Sequence, residues 1–223
     1  MADQTAAPTP HPILPLLLLL AADKVAPPSR PMQASTDVPC KDVKVQTKVL
    51  AQVLLASAFL GLRENGLVSL ETYEKKKLFR MHTEVRVKAT GEGHAVGFES
   101  SILGHVTGNP DKDSAVFVLV RWFGQEFPSP SAVVVANVRA AGKGLGLFQT
   151  VSTERGRIAG KLLGKERTEP VCAAIAAVAP QSDDAARRWL SFVSAEAERA
   201  EALLASAKRA IDQMTERDDS DDD

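Results

Sequence analysis

Residues 47–89 read TKVLAQVLLASAFLGLRENGLVSLETYEKKKLFRMHTEVRVKA, and the change of rhythm inside this stretch decides the fold class. Over Thr47–Leu62 the apolar residues Val49, Leu50, Val53, Leu54, Phe59 and Leu60 recur at three- and four-residue spacings, with Ala and Ser between them. That spacing predicts a helix, and its apolar character nearly all round predicts a buried one. Arg63–Glu64–Asn65–Gly66 closes it, with Gly66 as the residue able to take a positive φ. A period of two follows. Val68 and Leu70 alternate with Ser69 and Glu71, and Phe79, Met81, Val85 and Val87 alternate with Arg80, His82, Glu84, Arg86 and Lys88. This predicts a β-hairpin with one buried face and a turn near Thr72–Lys77. Helix, tight glycine turn and hairpin is the order found at the end of a winged-helix unit.

Towards the N-terminus, Ala26–Pro39 holds four prolines and reads as a loop. Ile13–Ala22 is strongly apolar but too short for a bilayer, which needs about 20 apolar residues, and it lacks the positive flank of a signal peptide. It reads as a core segment that starts the fold. Met1–Pro12 has no apolar period.

Towards the C-terminus, Ala89–Gly108 is rich in glycine, with Phe98, Ile102 and Val106 spaced like a short helix. Asp113 reads as the N-cap of a helix over Ser114–Phe127. Ser129–Pro130 opens another that runs to about Ala141. Gly142, Gly144 and Gly146 stop it, and Leu147–Val151 reads as a short strand. The helix–glycine–strand order of Thr47–Leu70 is thus echoed at Pro130–Val151. Thr153–Lys165 reads as a short basic helix or loop, and Pro170–Ala179 as a helix ended by Pro180. Ser182 caps a long helix over Asp183–Thr215.

The resulting fold class is mainly α with a small β-hairpin, winged-helix-like pieces and a long C-terminal helix. Residues 1–12 are expected to be disordered, 13–180 to form a mainly helical globular domain, 181–216 a long amphipathic helix, and 217–223 an acidic disordered tail. Aromatics are only 5%, so Leu, Val and Ala must build the core.

The net charge of −1 hides an asymmetry, because Glu216–Asp223 alone contributes −5 and leaves the rest at +4. That excess is too mild to indicate a nucleic-acid binder by itself. Cys40 and Cys172 are far apart and offer neither a disulfide framework nor zinc spacing. Two reduced thiols are expected, which suits a reducing compartment, and the location expected is cytoplasmic.

Three features offer surfaces for partners. Leu190, Val193, Ala197, Ala200, Leu204, Ala207, Ile211 and Met214 alternate steps of three and four, a coiled-coil seam for a second copy or a helical partner, or a stripe that packs on its own domain. Arg155, Arg157, Lys161, Lys165 and Arg167 form a basic segment that suits phosphates or serves as a solvated connector. Lys75, Lys76 and Lys77 cluster beside Tyr73 at the predicted hairpin tip, as a wing on phosphates or as a solvated turn.

Gly142–Lys143–Gly144–Leu145–Gly146 is not a phosphate loop, since no Ser or Thr follows the lysine and no strand precedes it. His94 and His105 flank Glu99 at a spacing that matches no common metal site. His82 falls on the polar face of its strand. No nucleophile elbow or Cys–His signature is present. No catalytic residue, metal or cofactor is assigned.

The short Leu-rich start (Leu14–Ala22), the proline-containing loop, the buried helix Val49–Leu62 and the run Gly66–Leu67–Val68–Ser69–Leu70 together resemble the opening of the Golgi phosphoprotein 3-like family. Val116–Trp122 and Ser131–Gly146 fall where that family has further helices ending in a Gly–Leu turn. The resemblance covers the first two thirds of the chain; the Gly-rich segment Ala89–Gly108 and the C-terminal helix depart from the pattern. It implies a mainly helical, non-enzymatic protein, of a kind whose eukaryotic members bind phosphoinositide headgroups and recruit cargo at membranes. It carries over no individual site residue. The function expected is therefore a scaffold or adaptor, peripheral to an anionic membrane surface. The alternative is a winged-helix nucleic-acid-binding regulator dimerised through the C-terminal helix.

Overall fold

Every residue of Leu14–Leu20, helix α1, is buried. Pro15 starts it without wasting a backbone donor. In the computed structural model, which describes residues 13–77, 80–91, 93–109, 111–158 and 161–215, with the backbone alone at 77, 80, 152–158 and 161–166, α1 is the hub. It packs against three later helices, α3 (Thr47–Glu64), α6 (Pro130–Lys143) and α7 (Cys172–Ala195). A helix walled on all sides has no use for a polar face, which explains the unbroken leucine run.

A short helix α2 (Ala22–Val25) leads into a small antiparallel sheet of β1 (Ser35–Asp37) and β2 (Lys44–Gln46) within the proline-rich loop. Helix α3 buries most of its eighteen residues, as its composition predicts. It ends where Gly66, at φ +67, turns the chain. Leu67 N–H donates to the Leu62 carbonyl at 2.9 Å and Gly66 N–H to that of Arg63 at 2.9 Å. That pair of bonds is a Schellman cap, which satisfies carbonyls the helix leaves open. The hairpin β3 (Val68–Lys77) and β4 (Arg80–Ala89) follows.

The same device recurs after α6. Gly146 sits at φ +70. Leu147 N–H donates to Gly142 at 3.0 Å and Gly146 N–H to Lys143 at 3.0 Å. A second hairpin follows, β5 (Phe148–Ile158) and β6 (Lys161–Pro170). The echo seen in sequence is thus a repeated helix–cap–hairpin unit. Between the two units lie α4 (Gly97–Thr107) and α5 (Ala115–Phe123), and α8 (Ala197–Gln213) closes the described chain. Mainly helical, with eight helices and three two-stranded antiparallel sheets among the described residues, the fold places its core on α1 and α3.

Five expectations are corrected. The first hairpin is longer than its sequence pattern suggests, and Lys77 and Arg80 pair, so the turn lies beyond Thr72–Lys77. Val68, Leu70, Val85 and Val87 are buried, but Met81, on the same face further out, is 55% exposed because the outer strands extend past the body. Asp113 does not cap α5. Ser114 does, accepting from Phe117 N–H at 3.2 Å, while Asp113 pairs with Arg86 at 2.7 Å.

The basic segment Thr153–Lys165 is hairpin, neither helix nor loop. The β-branched residues of Thr150–Thr153 and Thr168 favour strand over a glycine-interrupted helix. The helix expected over Asp183–Thr215 is two helices. Helix α7 begins at Cys172, runs through Pro180 and stops at Ala195. At the break, Glu196 accepts two hydrogen bonds from the Arg63 guanidinium, both 2.9 Å, and a further one from Arg199. The coiled-coil seam therefore does not exist as one stripe. Ala200, Ala207, Ile211 and Met214 are buried in the chain's own core, where α8 meets α3, α5 and β4. Val193 and Leu204 are partly buried, Ala197 is exposed, and Leu190 is 49% exposed.

Finally, Cys40 and Cys172 are not free thiols but a disulfide, with Cα atoms 5.6 Å apart. Sequence separation says nothing about proximity once the β1–β2 loop is folded against the start of α7. The expectations for residues 1–12 and 217–223, and for the side chains of Lys77, Arg155, Arg157, Lys161 and Lys165, lie outside what the structure describes. Among the described residues no helix is long and apolar enough to cross a membrane.

Candidate functional site

Helix α6 is made almost wholly of small and β-branched residues, PSAVVVANVRAAGK, with a single arginine in its middle. Its apolar face, including Val134, Val135 and Val138, is buried. Arg139 is left at the edge of that face, half-buried, facing the β1 strand. Its Nη2 donates to the Asp37 carbonyl at 3.2 Å. Its Nε, though buried, has no hydrogen-bond partner among the described residues. Burial holds the proton affinity of this guanidinium below its ordinary value, and the nearby Asp37 carboxylate opposes that shift. Arginine nonetheless stays charged in proteins.

Arg167, on β6, comes to the same place from the opposite side. The two guanidinium groups border two open clefts, of 570 and 530 Å³. The first cleft adds the hydroxyls of Ser35, Thr36, Thr47, Ser129 and Thr168, and Asp37 is its one acid. Thr36 and Thr47 are hydrogen-bonded to each other at 2.9 Å and form part of its floor. The second cleft sets Lys41, Arg139 and Arg167 against Asp37, Asp42 and Glu169, so its charges cancel. Among the described residues neither Arg139 nor Arg167 is in an ion pair, and Asp37 has its own partner, Lys44, at 3.6 Å. The first cleft is thus the electropositive, hydroxyl-lined one. It offers forked donors of the kind that match phosphate geometry.

Of the basic residues singled out in sequence, Arg167 alone lies at these clefts. The others of its segment run out along the hairpin. Lys76 is exposed on β3, and Lys75 pairs with Glu84 at 3.4 Å. Arg139 was not singled out. The signal was present, as one charged residue in an Ala/Val helix, but without the fold nothing says whether such a residue faces water or a cleft.

A second unusual group lies away from the clefts. Glu99, on α4, is only 3% exposed and its Oε1 has no partner among the described residues. It leans on Gly61 of α3, where a Cβ would collide with the carboxyl group. Burial pushes its pKa up to about 8, with the Glu64 charge adding to the rise and the backbone of Leu14 opposing it. Among the described residues no group of three or more His, Cys, Asp and Glu side chains is placed to hold a metal.

No protein-family model, curated protein or solved structure matches this chain.

Proposed function

We propose that this chain is a non-enzymatic adaptor that docks on an anionic membrane surface by taking a phosphorylated lipid headgroup into the hydroxyl-lined cleft between Arg139 and Arg167. The observation that carries this reading is the Arg139 guanidinium, half-buried at the cleft and, among the described residues, without an ion-pair partner and with its Nε unbonded. Desolvating a guanidinium without pairing it is unfavourable, and an incoming phosphate supplies the missing acceptor. The resemblance to the Golgi phosphoprotein 3-like family points to the same ligand class. Peripheral binding also fits a chain with no membrane-crossing helix among its described residues. The cytoplasmic location expected from sequence followed from the lack of a targeting or membrane segment, and reduced thiols were only in keeping with it. The Cys40–Cys172 bond removes the support that reduced thiols gave to that location.

The winged-helix reading of the α3–hairpin units, with nucleic acid as ligand, has less support. A recognition helix needs an exposed face to enter a groove, and α3 is buried along its length. Dimerisation through the C-terminal helix loses its seam to the core. Self-association would have to use a different surface.

Co-sedimentation with vesicles tests the proposal. Phosphatidylcholine vesicles carrying a phosphatidylinositol phosphate should pull the protein down, and plain phosphatidylcholine should not. Arg139→Gln should weaken binding tenfold or more, since a hydrogen bond to a charged group is worth about 1.5–3 kcal/mol. Equal binding to both vesicles, or a shift of duplex DNA at lower concentration than lipid, would overturn it.

A further inference from the structure

The disulfide stands beside the neighbouring, charge-balanced cleft. Cys40 lies in the loop that joins β1 to β2, and that loop supplies one wall of the charge-balanced cleft. The facing wall is Arg167–Pro170, the end of β6, which runs directly into Cys172 at the start of α7. The S–S bond therefore ties one wall to the other. Asp37, Arg139, Arg167 and Thr168 belong to both clefts, so anything that shifts this loop shifts the anion cleft as well.

The base of the loop is fixed, with Val38 buried in the core and Asp37 paired with Lys44 across the β1–β2 ladder, but its tip, Cys40–Asp42, has few other ties among the described residues. Val38 N–H donates to Val43 at 2.9 Å, Lys41 N–H donates to Val38 at 3.1 Å, and the Lys41 ammonium pairs with Asp23. Cys40 itself sits at φ +59, a left-handed conformation that non-glycine residues avoid unless constrained. Both cysteines are exposed residues at the surface of the fold. Neither is a member of the apolar core, which α1 and α3 build. Disulfides that staple small domains compensate for a core this chain already has. Exposed disulfides are the reducible, regulatory kind.

We infer that the Cys40–Cys172 disulfide is a redox gate on the anion cleft: oxidised, it holds the cleft in its binding geometry, and reduced, it releases the β1–β2 loop and lowers affinity. This rests on the reading of the cleft as an anion site. A dithiol reductant attacks one sulfur as thiolate and forms a mixed disulfide, which expels the other cysteine as thiolate. The second thiol of the reductant then displaces the protein sulfur. Two electrons and two protons pass to the protein, giving two thiols, and the reductant leaves as its own disulfide. Cys40 is then free to leave the left-handed region, and the wall formed by Cys40–Asp42 can move away from Arg139 and Arg167. The two arginines lose the wall that confines them, and ordering them again is charged to ligand binding.

The test uses the full chain, oxidised and dithiol-reduced, with redox state read by thiol alkylation. Binding is measured on phosphatidylcholine vesicles containing a phosphatidylinositol phosphate. Reduction should lower affinity about tenfold, reoxidation should restore it, and Cys40→Ser/Cys172→Ser should bind like the reduced form with or without dithiol. Hydrogen exchange over residues 38–43 should quicken on reduction while that of α1 and α3 stays slow. If both redox forms bind equally and Arg139→Gln abolishes binding in both, the gate is wrong and the cleft stands. If neither form binds, the cleft reading fails and takes the gate with it. If reduction unfolds the body, or if the bond survives a reducing glutathione buffer, the disulfide is a structural staple and the gate is refuted.

Discussion

Glu84 on β4 meets Arg209 on α8 at 2.8 Å, and this contact fastens the first hairpin to the end of the chain. Glu84 is 7% exposed, yet its carboxylate is well supplied. Tyr73 O–H donates to it at 2.9 Å and the Lys75 ammonium lies at 3.4 Å. The next pair along the ladder repeats the idea. Arg86 stacks on the Tyr73 ring and pairs with Asp113 at the entrance to α5. The hairpin, α5 and α8 are thus joined by charge as well as by the apolar face of Val85 and Val87. Burial alone would raise the Glu84 pKa, but the bonds from Tyr73 and Arg209 outweigh it and hold the pKa below the ordinary value. The same contact, with burial as the larger cause, pushes the Tyr73 pKa up to about 12.

Arg209→Ala should therefore destabilise the protein by about 1–3 kcal/mol, because it strips a strong donor from a buried carboxylate. The pH dependence has a definite sign. A depressed folded-state pKa contributes stability above the unfolded value near 4.5 and loses it as pH falls through the lower folded value. Thermal melts should show the variant's deficit at pH 6–7 shrinking as the solution is acidified. A deficit that grows on acidification would refute the role given to Glu84.

Glu99 should give the opposite slope. Its folded pKa, about 8, stands above the ordinary 4.5, so the folded state keeps a proton that the unfolded chain releases. The stability linked to this group falls as pH rises from about 4.5 to about 8 and levels off beyond. Glu99→Gln keeps the neutral shape and removes the titration. It should match the wild type near pH 5 and exceed it at pH 8.5, on the order of a few kcal/mol. Urea titrations at the two pH values check this. Equal pH slopes in variant and wild type would show that Glu99 is ionised or solvated in the folded state.

The two glycine caps allow a cleaner measurement. A Cβ added at Gly66 or Gly146 would meet nothing within 4 Å, so substitution there tests backbone conformation alone. Alanine at a left-handed position costs about 1–2 kcal/mol. Gly66→Ala and Gly146→Ala should each lower stability by that amount, and asparagine should cost less at both. Denaturant midpoints at unchanged slope would confirm that the two caps are one device used twice.

Those caps also mark what was legible in the sequence. Gly66 followed by a switch from helical to alternating period placed α3, its cap and its hairpin. The weaker signal at Gly146 placed the second helix. Ile13–Ala22 was readable as core because nothing polar interrupts it. Four things were not readable, each because it depends on proximity in space. Cys40 and Cys172 are brought together by tertiary packing. Arg139 becomes a site residue only when β1 and β6 close around it. The outer part of the first hairpin, past the body where Met81 is exposed, is held by cross-strand pairing and leaves no buried face in the sequence. The break at Glu196 falls where its carboxylate meets Arg63, far away in sequence, and interrupts a continuous helical pattern.

The C-terminal stripe gives the sharpest contrast between reading and structure. In sequence, Leu190 and Ile211 occupy equivalent positions of one seam. In the fold they differ completely, since Leu190 is 49% exposed and Ile211 is 2% exposed between α8 and its neighbours. Had the stripe been an oligomer seam, aspartate at either position would loosen association and leave the body folded. Ile211→Asp should instead unfold the body, because a carboxylate placed in an apolar core loses its hydration without gaining a partner, at a cost of at least 3–5 kcal/mol, on the order of an uncompensated buried charge. Leu190→Asp should change stability by less than about 0.5 kcal/mol, the ordinary range for a surface site. Thermal melts of the two single variants, run beside sedimentation equilibrium, separate the cases. A folded Ile211→Asp protein, with an altered association state, would restore the seam.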